Sequence, residues 1–310
     1  MVARYRIVAA GALTAVAVGC SSTSQHGSTT AEPPALGQIQ TITDPTQIVL
    51  PTDPYMVTSA QIKQVTQAQD AVTADCMRDF GFTAKPTTVL GADTAAMARL
   101  TRSRLYGYFD VAKAKTLGYD RFAQTDQVNQ DAAQAPPASV AEQTALSGND
   151  PTTRQPVTTL NGKPLPPGGC FQKGRDALKD DSLLIDDSAL PEGGPKIPVN
   201  DPRIVEAYAT WSQCMKSKGF DYKDPIGAIG DQKWKTGRPA NGSTNPDEIA
   251  AATADIDCKI ANNTVGVIVA VQTAYDKKYI EANAAKLTAY RQQTEDLVRR
   301  AAHIASGGQG

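Results

Sequence analysis

The chain has 310 residues, 41% of them hydrophobic, 20% charged and 6% aromatic, with a formal charge of −1. So balanced a chain gives no electrostatic reason to expect nucleic acid or another strongly charged polymer as partner. With histidine only at His26 and His303, the composition argues against Ser-His-Asp and Cys-His catalytic sets and against His-ligated zinc, leaving carboxylate and lysine chemistry open and no cofactor expected.

Residues 1–20 read as an export signal. Arg4 and Arg6 supply the positive start and Ile7 to Val18 an apolar run of twelve, too short for a spanning helix, which needs about 20 residues. The ending Ala17-Val18-Gly19-Cys20 resembles the bacterial lipobox, with Ala17 where Leu is typical. It implies diacylglycerol on Cys20 and a protein anchored by its N-terminal lipid to the outer face of the cytoplasmic membrane. The alternative is an ordinary secretory peptide cut nearby, against which stands the absence of any other cysteine in the first 75 residues. Residues 21–54, rich in Ser, Thr, Gln, Gly and Pro, are expected to be a flexible tether.

Residues 55–305 are expected to form a mainly α, disulfide-stapled domain, with 306–310 a disordered tail. The first helix is expected from Ser59 and carries Ile62, Val65, Val72 and Met77. Two shorter helices follow, one capped by Asp93 with Met97 and Leu100 inward, the other capped by Asp110 and stopped by Gly118. Arg99, Arg102, Arg104, Lys113 and Lys115 mix with Tyr106, Tyr108, Phe109 and Tyr119, which reads either as a basic aromatic surface for an anionic wall polymer or as a solvated basic face over buried tyrosines. Residues 123–169 form a long irregular excursion, with a short helix from a capping box at Ser139 and Glu142 to Gly148 and a hairpin turn at Asn161-Gly162.

Gly168-Gly169-Cys170 opens a helix to about Lys179. The acidic stretch of Asp180, Asp181, Asp186 and Asp187 lacks EF-hand spacing and reads as a solvated connector. Asp201 and Pro202 start a helix whose stripe of Ile204, Tyr208, Trp211 and Met215 is core or, for Trp211, part of a ligand pocket. After a Gly/Pro/Lys loop from Asp224 to Thr244 containing Trp234, Asn245-Pro246-Asp247-Glu248 begins another helix, with Glu248 reaching back to the cap. A final helix over Thr264 to Ala305 carries a sparse seam of Ile280, Leu287, Tyr290, Leu297 and Ile304. It either packs on the first helix or projects toward a partner.

Two helix ends share one device: Cys76, Met77, Arg78, Gly81 and Phe82 recur as Cys214, Met215, Lys216, Gly219 and Phe220. Gly past the last turn predicts a left-handed stop, with the following Phe on the Met five positions back. The device suggests two related Cys-Met repeat units, about 59–180 and 201–305. Beyond Cys20, the four cysteines Cys76, Cys170, Cys214 and Cys258 are an even set, for which disulfides are the default outside the cytoplasm. Tying each device to the next cysteine downstream gives Cys76–Cys170 and Cys214–Cys258; Cys76–Cys214, joining the two equivalent helices, stays open.

Cys76 to Phe82, Tyr106-Gly107-Tyr108 with Leu117-Gly118-Tyr119, Gly168 to Cys170, Cys214 to Phe220 and Cys258 together resemble a family of actinobacterial exported lipoproteins over most of residues 60–300. The resemblance implies no particular activity and an accessory role in the cell envelope, with an envelope protein complex or a cell-wall polymer as partner. The sequence offers no catalytic set, so binding is the expected mode of action. The alternative from another class is a cell-wall glycan hydrolase using a single carboxylic acid, Glu206 or Glu248.

Overall fold

A computed structural model describes residues 32–83, 105–119, 138–179, 190–236 and 245–308. Within them the chain forms helices α1 (Ser59–Asp79), α2 (Val111–Leu117), α3 (Val140–Ser147), α4 (Gly169–Leu178), α5 (Pro202–Ser217), α6 (Pro225–Gly230), α7 (Lys233–Thr236), α8 (Pro246–Ala261) and α9 (Thr264–Ala305). Strands β1 (Thr159–Leu160) and β2 (Lys163–Pro164) pair antiparallel across the Asn161-Gly162 turn. The fold is therefore mainly α, as expected, and Pro34 onward belongs to one unit. The expected Asp93 helix, the acidic connector and residues 1–20 lie outside the described residues.

Local chemistry sets the helix boundaries. Thr58 caps α1 through a reciprocal box with Gln61, Asp110 caps α2, Ser139 caps α3 and Asp201 caps α5, each side chain accepting a first-turn N–H that has no partner within the helix. At the far ends of α1 and α5 the repeated device closes the helix twice over. Phe82 N–H donates to Met77 C=O at 3.0 Å and Gly81 N–H to Arg78 C=O at 3.0 Å; Phe220 and Gly219 repeat this on Met215 and Lys216 at 3.0 and 3.1 Å. Gly81 and Gly219 stand at φ +84 and +90, the left-handed stop that side chains oppose.

α1 packs on α4 and on the second half of α9. Gly174 is required at the first crossing, since a Cβ there would run into Thr73 and the carbonyl of Gln69. At the second, Val65 and Ala68 of α1 meet Leu178, Ala301 and Ile304. The final helix therefore packs on the first rather than projecting. At about 1.5 Å per residue its 42 residues extend roughly 63 Å, and it bends at Asn283 (φ −124), whose side-chain amide donates to the carbonyl of Tyr279 at 2.9 Å. A side chain inserted into the backbone ladder is a recognised cause of a kink.

Several expectations need correction. The tether ends earlier than residue 54. Ile42 and Leu50 are 1% and 2% exposed and belong to the main core with Trp211, Ile256 and Ile268. Asn263 clamps this strap by accepting from Ile42 N–H at 3.1 Å and donating to Gln40 C=O at 3.0 Å, and Thr52 donates to Asp276 at 2.9 Å. The helical domain thus begins near Pro34, not at 55. Residues 306–308 are no disordered tail either: Gly307 and Gly308 donate to Ile304 and His303 and close α9 by the same left-handed device. Part of the expected 224–244 loop is helical, as α6 and α7, and buries Trp234. The two expected repeat units are not separate bodies, because the end of α9 from the second packs on α1 of the first.

Candidate functional site

The four domain cysteines form two disulfides, Cys76–Cys170 and Cys214–Cys258, with Cα atoms 5.5 and 5.7 Å apart. The Cys76–Cys214 alternative is thereby excluded. Both bridges start from a Cys in the last turns of a device helix, held in place by its glycine stop. Their partners differ: Cys170 is the second residue of α4, whereas Cys258 lies near the end of α8. The first bridge is set in a small cluster with Met77, Phe80, Ala145 and Leu165; the second adjoins the main core.

The main core also encloses an ionic centre. Lys259 and Asp255, one turn apart on α8 and both fully buried, pair at 2.8 Å. Asp255 accepts the indole N–H of Trp211 at 2.9 Å, and Lys259 donates to the carbonyl of Tyr108 at 2.7 Å. Burial pushes the Asp255 carboxyl up to about 6 against the opposing pull of Lys259 and Trp211, and burial lowers the Lys259 ammonium against the pull of Asp255. Trp211, read as core or ligand pocket, is a core residue whose one polar atom is satisfied from within.

This centre explains the Tyr-Gly-Tyr and Leu-Gly-Tyr motifs. Residues 105–119 are pinned to α5 and α8 at three main-chain points: Tyr208 donates to Leu105 C=O, Lys259 to Tyr108 C=O, and Glu248 accepts from Tyr119 N–H at 3.1 Å. Gly107, at φ +70, lies where a Cβ would come within 2.7 Å of Ile229, and Gly118, at φ +64, where one would come within 2.8 Å of Glu248. Tyr106, Phe109 and Tyr119 are buried, so the basic aromatic surface loses these aromatic members to the core. Arg99, Arg102 and Arg104 lie outside the described residues. Burial raises the Tyr119 phenol well above its ordinary range, with Asp255, Tyr222, Glu248 and Asp231 adding to it.

A second polar centre fixes the start of α5. Arg203 holds both oxygens of Asp201 through one guanidinium edge, Nε at 2.8 Å and Nη2 at 2.7 Å, Tyr275 of α9 donates to the same carboxylate at 3.0 Å, and Arg203 Nη1 donates to the carbonyl of Pro34 at 2.7 Å. The Arg203 hydrogen bonds hold the Asp201 carboxyl below the usual range against burial.

The two glutamates of the hydrolase alternative have unlike surroundings. Glu206 is exposed on α5, whereas Glu248 is fully buried and holds main chain instead of reaching back to its cap. A fully buried carboxyl cannot touch a polymeric glycan, which removes Glu248 as that acid. Among the described residues no group of three or more His, Cys, Asp or Glu is placed to hold a metal ion, and no helix is long and apolar enough to cross a membrane. Sequence reading missed the Asp255–Lys259 pair. The available signal was an Asp and a Lys four apart on a helix otherwise rich in Ala and Ile, a spacing that also occurs on solvated faces.

The fold and its centres define a mainly helical, twice-bridged protein in which Asp255, Lys259, Glu248 and Asp201 bind other parts of the same chain. No family model, curated protein or solved structure matches this chain.

Proposed function

We propose that this is an exported lipoprotein of the cell envelope, held on the outer face of the cytoplasmic membrane by lipid on Cys20 and acting as a non-catalytic binding or accessory protein of an actinobacterial envelope. The observation that carries the reading is the pairing of all four domain cysteines in disulfides. Such bonds persist in oxidising compartments and are rare in a reducing cytosol, and the signal-like residues 1–20 supply the route there. The binding mode is supported by the inward use of the conspicuous polar side chains: Asp255 holds Lys259 and Trp211, Lys259 and Glu248 hold main chain, and Asp201 caps α5.

The test is metabolic labelling of an actinobacterial host with a clickable fatty acid, comparing the native chain with Cys20→Ala. Label and membrane fractionation in the first, and loss of both in the second, are expected. Unlabelled native chain would overturn the anchor. Crosslinking on intact cells then reads the partner: a reproducible envelope protein or wall polymer is expected, whereas release of soluble fragments from purified wall by the protein alone would overturn the binding reading.

A further inference from the structure

We infer that the two disulfides have different roles, and that Cys214–Cys258 is an exchangeable bridge, opened at Cys214 by a dithiol while Cys76–Cys170 and the fold remain intact. Thiol–disulfide exchange needs a thiolate to reach one sulfur of the bridge. Cys76, Cys170 and Cys258 are 2%, 0% and 0% exposed, whereas Cys214 is only partly buried, on the last turns of α5. Its surroundings favour the exchange. Lys216 is exposed two residues on, and positive charge near a cysteine favours both the approach of an incoming thiolate and the later release of Cys214 as one.

The exchange balances as follows. The incoming thiolate attacks Cys214 Sγ, a mixed disulfide forms, and Cys258 leaves as a thiolate that takes the proton of the partner's second thiol. The second thiol of the same partner then displaces Cys214. The partner ends as a disulfide, having passed two electrons to the bridge.

What remains after opening separates the two bridges. α5 and α8 stay joined by the Trp211–Asp255 hydrogen bond, by Trp211 and Met215 in the main core, and by Lys218–Asp257 at 3.3 Å. Both sulfurs of Cys76–Cys170, by contrast, are sealed inside the small cluster of Met77, Phe80, Ala145 and Leu165 between α1, α3 and α4. Opening the second bridge therefore frees a helix end, and opening the first removes the centre of a cluster.

The full chain is treated with graded dithiothreitol, quenched in acid, unfolded, alkylated and mapped by mass spectrometry, with helicity followed in parallel by circular dichroism. Cys214 and Cys258 should become alkylated at least tenfold faster than Cys76 and Cys170, with helicity unchanged while only they are open. A paired Cys214→Ser and Cys258→Ser variant should keep a cooperative melt. Simultaneous opening of both bridges, earlier opening of Cys76–Cys170, or loss of helicity as Cys214–Cys258 opens would each overturn the inference.

Discussion

Asp255 and Lys259 are oppositely charged groups sealed where neither charge is welcome. Desolvation of a buried pair rivals its attraction, so such a pair adds little net stability, whereas removing one partner strands the other and costs about 3–5 kcal/mol. Asp255→Ala should therefore lower stability by about that amount, and the double change Asp255→Leu with Lys259→Met by much less, read as urea midpoints in a double-mutant cycle. The pH dependence has a definite sign. The folded carboxyl titrates at about 6 against an ordinary 3.8, so the folded state holds this proton more tightly than the unfolded chain does. Its contribution is fully present below 3.8 and is lost as pH rises through 6. The stability advantage of the native chain over Asp255→Asn should shrink between pH 4.5 and 7.5; an advantage that grows with pH would contradict the assignment.

Helix ends show why part of this fold was legible in the sequence. A cap or a glycine stop is built from contiguous residues, so Asp110, Ser139, Asp201, Gly81 and Gly219 carry their geometry in the chain itself. The repeated device even indicated the bridge pairing, because it fixed where two sulfurs sit. Glu248 misled for the converse reason: a Glu in the first turn ordinarily serves its own cap, and here the N–H of Tyr119, 129 positions away, captures it. Glycines at these ends should differ in cost. Gly219 has open space around it and only a strained φ, so Gly219→Ala should cost about 1–2 kcal/mol. Gly118 stands at φ +64 and ψ −135, outside the left-handed helical region, and has Glu248 against it, so Gly118→Ala should cost distinctly more, as thermal midpoints of the two variants would show. Equal losses would mean that Glu248 yields freely and that the Tyr119 contact is weak.

At the scale of the whole molecule, the chain is closed by pieces that meet from opposite ends. The strap of residues 34–52 lies along the start of α9, and the end of α9 lies along α1. These contacts were invisible in the sequence because each joins residues more than 200 positions apart, such as Ile42 with Asn263 and Thr52 with Asp276. The strap is also too irregular to show a hydrophobic period: its buried Ile42, Ile48 and Leu50 follow no unbroken helix or strand spacing, and its polar groups are matched by single side chains, Asp44 and Gln47 within it and Asn263 and Asp276 across from it. A true tether can be lost without consequence for folding, and a strap cannot. Deleting residues 21–33 from a chain lacking the signal should leave the urea midpoint unchanged. Ile42→Ala, which empties a nearly fully buried position, should cost about 2–5 kcal/mol, and Asn263→Ala, which leaves the Ile42 N–H and the Gln40 carbonyl without this partner, about 1–3 kcal/mol. If Ile42→Ala were as harmless as the deletion, residues 34–52 would be tether after all, and the domain would begin at α1.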